Sequence, residues 1–170
     1  IEKEQGEIYT AQYWYDRPEH SPNQAIGGIE YAEIKRIWEQ FKTDYDYALR
    51  NGASVVIDGG ATMWEIHRYA ELKQLSQVPP MKYAEVNTEH ENFYHDAGRT
   101  NCNLIVSFKL ESEWVDNRKT GKVVRGGYQR GDTKYLVQCN VRTEYSATEG
   151  FVATVVDCRQ KSDLYGVRFG

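Results

Sequence analysis

The chain is expected to be an α/β protein in which a mainly parallel, helix-covered sheet is followed by antiparallel strands. Three observations predict this. Two short apolar runs, Ser54–Ile57 (SVVI) and residues 103–108 (NLIVSF), have the length and composition of buried strands. The stretches between and before them repeat apolar residues at helical spacing, and parallel neighbours need such a crossover. Beyond residue 134 the texture changes to two β-rich runs, 135–145 and 151–157, with turn residues 147–150 between them.

Each element follows from its residues. Residues 8–15 (IYTAQYWY) read as a strand that ends at Asp16-Arg17-Pro18. Over 31–50 the positions Ile34, Ile37, Trp38, Phe41, Tyr45, Ala48 and Leu49 share one helical face, and Asn51-Gly52 stops the helix. After Asp58 a helix capped by Thr62 turns Met63, Trp64, Ile66, Ala70 and Leu75 inward, and Pro79-Pro80 breaks it. A further helix covers 84–97. The chain reads as one domain over 1–170: a parallel α/β part (1–109), a charged glycine-rich loop (110–134) and antiparallel strands (135–170).

Hydrophobic residues make up 40% and charged residues 27%, which excludes a disordered chain. A net charge of −4 argues against whole-surface attraction to nucleic acid and leaves room only for a local basic patch. No apolar run approaches the roughly 18 residues of a membrane span, so no membrane partner and a cytoplasmic setting are expected. The first residue is Ile1, which suggests a piece of a longer protein. Cys102, Cys139 and Cys158 lack metal-ligand spacing and read as buried, reduced thiols.

The strongest local signal is Val55-Val56-Ile57-Asp58 followed by Gly59-Gly60. A carboxylate at the carboxyl end of a buried strand stands where open α/β sheets bind ligands. There it can hold Mg²⁺ beside a nucleotide, the task of a Walker B aspartate. The plainer alternative is that Asp58 caps the next helix.

Taken in order, SVVIDGGATMWEIHRYAELKQL, NLIVSFKLESEWV, KYLVQCNVRTEY and FVATVVDCRQ resemble one family. It is the bacteriophage-encoded ATP-binding proteins with a RecA-like, AAA-type P-loop core, and the resemblance spans residues 41–166. It implies a three-layer RecA-like fold, ATP and Mg²⁺ as cofactors, and a role in phage DNA metabolism (recombination or replication) in the host cytoplasm. It also implies assembly with copies of itself, in a ring or filament. By position it places Asp58 as the Walker B metal ligand, Lys109 as the γ-phosphate sensor and Asp16 as the carboxylate activating water. Lys109 also reads as a solvated strand-end lysine; Asp16 stands where the family has Glu, with Glu19 three residues on, and reads more simply as a turn residue before Arg-Pro.

One departure limits that inference. No G-x-x-x-x-G-K-[ST] occurs, and Gly121-Lys122 is followed by Val123. Without the backbone donors and lysine of a phosphate loop, tight triphosphate binding and turnover by this chain alone are not expected. The alternatives are a non-catalytic RecA-like module for protein or nucleic-acid contacts, and a metal-dependent nuclease using Asp16, Asp58 and Lys109.

The segment holding Lys119, Lys122, Arg125, Tyr128 and Arg130 is basic, glycine-rich and carries one aromatic. It suits single-stranded DNA, a neighbouring subunit's nucleotide, or simply a solvated hairpin. His20, His67, His90 and His95 read as surface residues, since the five-residue step from His90 to His95 misses the i, i+4 spacing of zinc ligands.

Overall fold

The computed structural model describes residues 10–14, 28–52, 54–73, 78–116, 118–125 and 136–170. Helix α1 (Gly28–Asn51) leads into strand β1 (Ser54–Ile57), helix α2 (Gly60–Leu72), a 3-10 turn (Pro80–Lys82) and helix α3 (Tyr83–Arg99). Strands β2 (Asn103–Val106), β3 (Leu110–Val115), β4 (Arg118–Arg125), β5 (Cys139–Ser146), β6 (Gly150–Cys158) and β7 (Arg168–Phe169) follow.

The core belongs to the helices. Ile34, Ile37, Trp38, Tyr45 and Leu49 recur at three- and four-residue steps, so they form one buried stripe along α1. Met63, Ile66, Tyr69 and Ala70 of α2 meet that stripe, with Phe93 and Ala97 of α3 and Cys102 in the same cluster. Trp38 is 1% exposed, and stacks on the His67 ring at 4.3 Å and on Phe41 at 5.2 Å. The Tyr45 hydroxyl donates to the Phe93 carbonyl at 2.6 Å, tying α1 to α3 while satisfying the buried O–H.

β1 and β2 pair in parallel with Ser54 opposite Asn103 and Ile57 opposite Val106, as the apolar runs and the helical crossover predict. The expected three-layer RecA-like core is not what the chain forms. The described residues hold a two-stranded parallel sheet, a two-stranded antiparallel sheet and a three-stranded antiparallel sheet, not one large parallel sheet. β1 and β2 are four residues each and alternate exposed with half-buried, so helices cover one face only. Val56 and Ile105, read as interior, are 67% and 56% exposed. An apolar run reports affinity for burial; it does not report how many strands or layers will supply it.

Three further expectations change. Among 10–14, the described part of the first expected strand, no strand forms. Tyr13 instead packs edge-on to Phe41 and donates to the Asp44 carboxylate at 2.7 Å. Up to Arg125 the charged segment is a hairpin, the last of the readings given for it, and not a loop, with Leu110 opposite Arg125 and Val115 opposite Arg118. Its β4 carries Lys119 and Lys122 into solvent. α2 begins at Gly60 with Gly59 as its cap and no side-chain cap hydrogen bond, so neither Thr62 nor Asp58 caps it.

The C-terminal strands pair as expected, antiparallel from Cys139 opposite Cys158 to Ser146 opposite Gly150. Of the three thiols only Cys102 is buried; Cys139 is exposed and Cys158 half-buried. The Arg159 N–H donates to the Gln138 carbonyl at 2.9 Å, so the adjacent 139/158 pair is a non-hydrogen-bonded one. Such pairs hold their Cα atoms about 4.5 Å apart, within the roughly 4.4–6.8 Å that a disulfide spans. Partial burial and the neighbouring Cys158 thiol push the Cys139 thiol above its usual range. We expect incubation in a glutathione buffer of rising oxidised fraction to join these two cysteines, seen as loss of two hydrogens and one cross-linked peptide. Mixed glutathione adducts alone, or a link through Cys102, would contradict the register.

Candidate functional site

The parallel pairing brings the end of β1 beside the end of β2, and the ladder continues one step beyond both strands. The Ser107 N–H donates to the Ile57 carbonyl at 2.9 Å, and the Gly60 N–H donates to the Ser107 carbonyl at 2.8 Å. The Ser107 hydroxyl donates to Asp58 Oδ1 at 2.5 Å and accepts from the Gly59 N–H at 2.9 Å. Ser107 is thereby clamped to the turn 57–60, and Asp58 stands exposed at the carboxyl edge of the sheet.

Both glycines are needed for this turn. Gly59 sits at φ +103°, a conformation that side chains rarely adopt. A Cβ on Gly60 would lie 2.6 Å from the Phe108 ring and 2.7 Å from Val106 Cγ1. α2 therefore starts hard against β2. Its N-terminus has no side-chain cap, and the Gly60 N–H is taken by the Ser107 carbonyl, so the helix begins directly beside Asp58. A carboxylate, a hydroxyl and a positive helix end in one place can hold a hydrated divalent cation with its phosphate oxygens.

Of the residues expected to carry chemistry, Asp58 lies in this edge. Lys109 is exposed, two residues beyond Ser107 and one before β3. Asp16, Tyr128 and Arg130 lie outside the described residues. Lys119, Lys122 and Arg125 belong to β4 of the hairpin. The residue that sequence reasoning missed is Ser107. The strand was read through Phe108, which moved attention to Lys109; β2 ends at Val106, so Ser107 is the first residue past it.

The histidines also need correction. His67 and His90 are fully buried, not surface residues; His95 is exposed, and His20 lies outside the described residues. His67 is stacked between Trp38 and, at 5.8 Å, the His90 ring, with the edge of Trp64 against it. Imidazoles pack as aromatic rings, and a hydropathy pattern does not reveal that use. Burial pushes both down to about 3, with Lys42 adding to the effect on His67 and His67 to that on His90, so both are neutral at pH 7.

A second group of donors surrounds His67. Its Nε2 lies 3.2 Å from Glu89 Oε2, and one donor atom each from His67, Glu71 and Glu89 lie within 4.8 Å of one another. His67 and Glu71 are four apart on α2, the ligand spacing that was sought only between His90 and His95. An open groove lined by Lys42, Tyr45, Arg50, Glu89 and Asp96 lies between α1 and α3, and no residue of the β1/β2 edge lines it.

Among the described residues no helix is long and apolar enough to cross a membrane. No protein-family model matches the chain, and no curated protein or solved structure matches it either.

Proposed function

We propose that the chain is the nucleotide-binding part of an ATP-binding protein, serving phage DNA metabolism and inactive by itself. The observation that carries this is the Asp58–Ser107 pair at the carboxyl edge of two parallel strands, beside the uncapped start of α2. In this reading Asp58 orients water on Mg²⁺, and Ser107 fixes the carboxylate by donating its one hydroxyl proton to it. The first-turn N–H groups of α2 add a positive partial charge. Lys109, on the chain just past this edge, would reach the outer phosphate.

Binding at such an edge is weak, because the motif that wraps a triphosphate does not occur in the sequence. Turnover should be negligible, since the sequence has no phosphate loop to position the attacked phosphorus. Calorimetric titration of ATP with and without Mg²⁺ tests the reading. We expect Mg²⁺-dependent binding that Asp58→Ala weakens about tenfold or more, the scale of one charge-assisted contact of roughly 1.5–3 kcal/mol. Binding indifferent to both Mg²⁺ and Asp58→Ala would refute it and leave a non-catalytic interaction module.

A further inference from the structure

We propose that His67, Glu71 and Glu89 form a second, transition-metal site that clips α2 to α3, separate from the Asp58 edge. It would take a borderline divalent cation such as Zn²⁺ or Mn²⁺, because one imidazole nitrogen with two carboxylates is the donor set such ions accept.

Three features support the site. Its geometry is preformed: the donor atoms already lie within 4.8 Å of one another, and two of the residues sit one turn apart on one helix. The imidazole is held rigidly, with no exposed surface, stacked on Trp38 and crossed by Trp64. Its Nε2, already 3.2 Å from Glu89 Oε2, presents a lone pair to a cation in the tautomer that carries its proton on Nδ1.

Charge supplies the third. Lys42 is the cation already present, with Nζ 2.9 Å from Glu39 Oε1 and 3.8 Å from Glu89 Oε1, and Glu71 also acts on it. Glu39, Glu71 and Glu89 set three negative charges around the one lysine they act on, an excess of two among these described residues that a divalent ion would cancel. Lys42 can withdraw to Glu39, its nearer partner, as the ion enters. The site has a built-in weakness: His67 Nδ1 is buried without a hydrogen-bond partner among the described residues. Metal-bound histidines usually donate that second N–H, so micromolar rather than nanomolar affinity follows.

The test is titration of the purified, metal-stripped protein with Zn²⁺, and with Co²⁺ for its visible absorption. We expect one equivalent to bind and to raise the melting temperature, because the ion binds the folded state. Glu71→Gln and Glu89→Gln should each weaken binding about tenfold or more, and Lys42→Met should tighten it by removing the competing cation. Asp58→Ala should leave it unchanged, which separates this site from the nucleotide edge. His67→Ala removes a core ring and is not relied upon; Glu71 is exposed and its substitution leaves the core intact. No saturable binding at millimolar Zn²⁺, or wild-type affinity in both glutamine variants, would overturn the proposal.

Discussion

Lowering the pH from 7.5 to 5 is expected to cost the helical core about 4 kcal/mol, about 2 for each of the two buried histidines. In the unfolded chain His67 and His90 protonate near pH 6.5, whereas in the folded chain both are pushed down to about 3. Between those values the unfolded state binds more protons, so stability rises with pH. It is fully present above about pH 7 and is lost as the pH falls through 6.5. The groups facing His67 are Glu89, Glu71, Lys42, His90 and the rings of Trp38, Trp64 and Phe93. The two carboxylates favour a charged imidazole, and their exposure to solvent limits what they offer. Denaturant unfolding at half-unit steps between pH 5 and 7.5 reads the slope, and His90→Leu should roughly halve it. A flat profile over that window would show that one or both imidazoles reach water or a proton partner.

The second large effect centres on Trp38. Truncation to alanine should destabilise the protein by about 3–5 kcal/mol, the usual cost of removing a fully buried aromatic ring. Trp38 stacks on His67 and Phe41 and meets Phe93 edge-on at 5.3 Å, so no neighbouring ring can fill its space without breaking another contact. Its indole N–H is buried with no hydrogen-bond partner among the described residues. Trp38→Phe should therefore cost much less, because it deletes an unsatisfied donor together with part of the ring. Guanidinium unfolding at pH 7.5 checks both variants; equal losses in the two would mean that the indole makes a polar contact after all.

What the sequence disclosed depended on whether a residue's chemistry advertised its location. The face of α1 was legible because Ile34, Ile37, Trp38, Tyr45 and Leu49 repeat against a polar background. The parallel pairing of β1 and β2 was legible because their apolar runs flank two helices, which forces a crossover. Asp58 was legible as the residue ending such a run. The limits of the sheet were not, since Val56 and Ile105 have the same composition whether one face or both are covered. His67 was read as a surface residue because its burial comes from aromatic stacking among the helices, which no local pattern encodes. Ser107 escaped because it owes its place to the hydrogen bonds of residues 57–60 fifty positions earlier in the chain.

Amide chemical shifts followed by NMR during a Mg²⁺–ATP titration test the proposal that the edge formed by Asp58, Ser107 and the start of α2 receives a Mg²⁺-bound nucleotide. We expect Mg²⁺-dependent shifts concentrated at Asp58 to Thr62 and at Val106 to Lys109, absent in Asp58→Ala. Shifts confined to the groove between α1 and α3, or no saturating shifts at millimolar nucleotide, would contradict it.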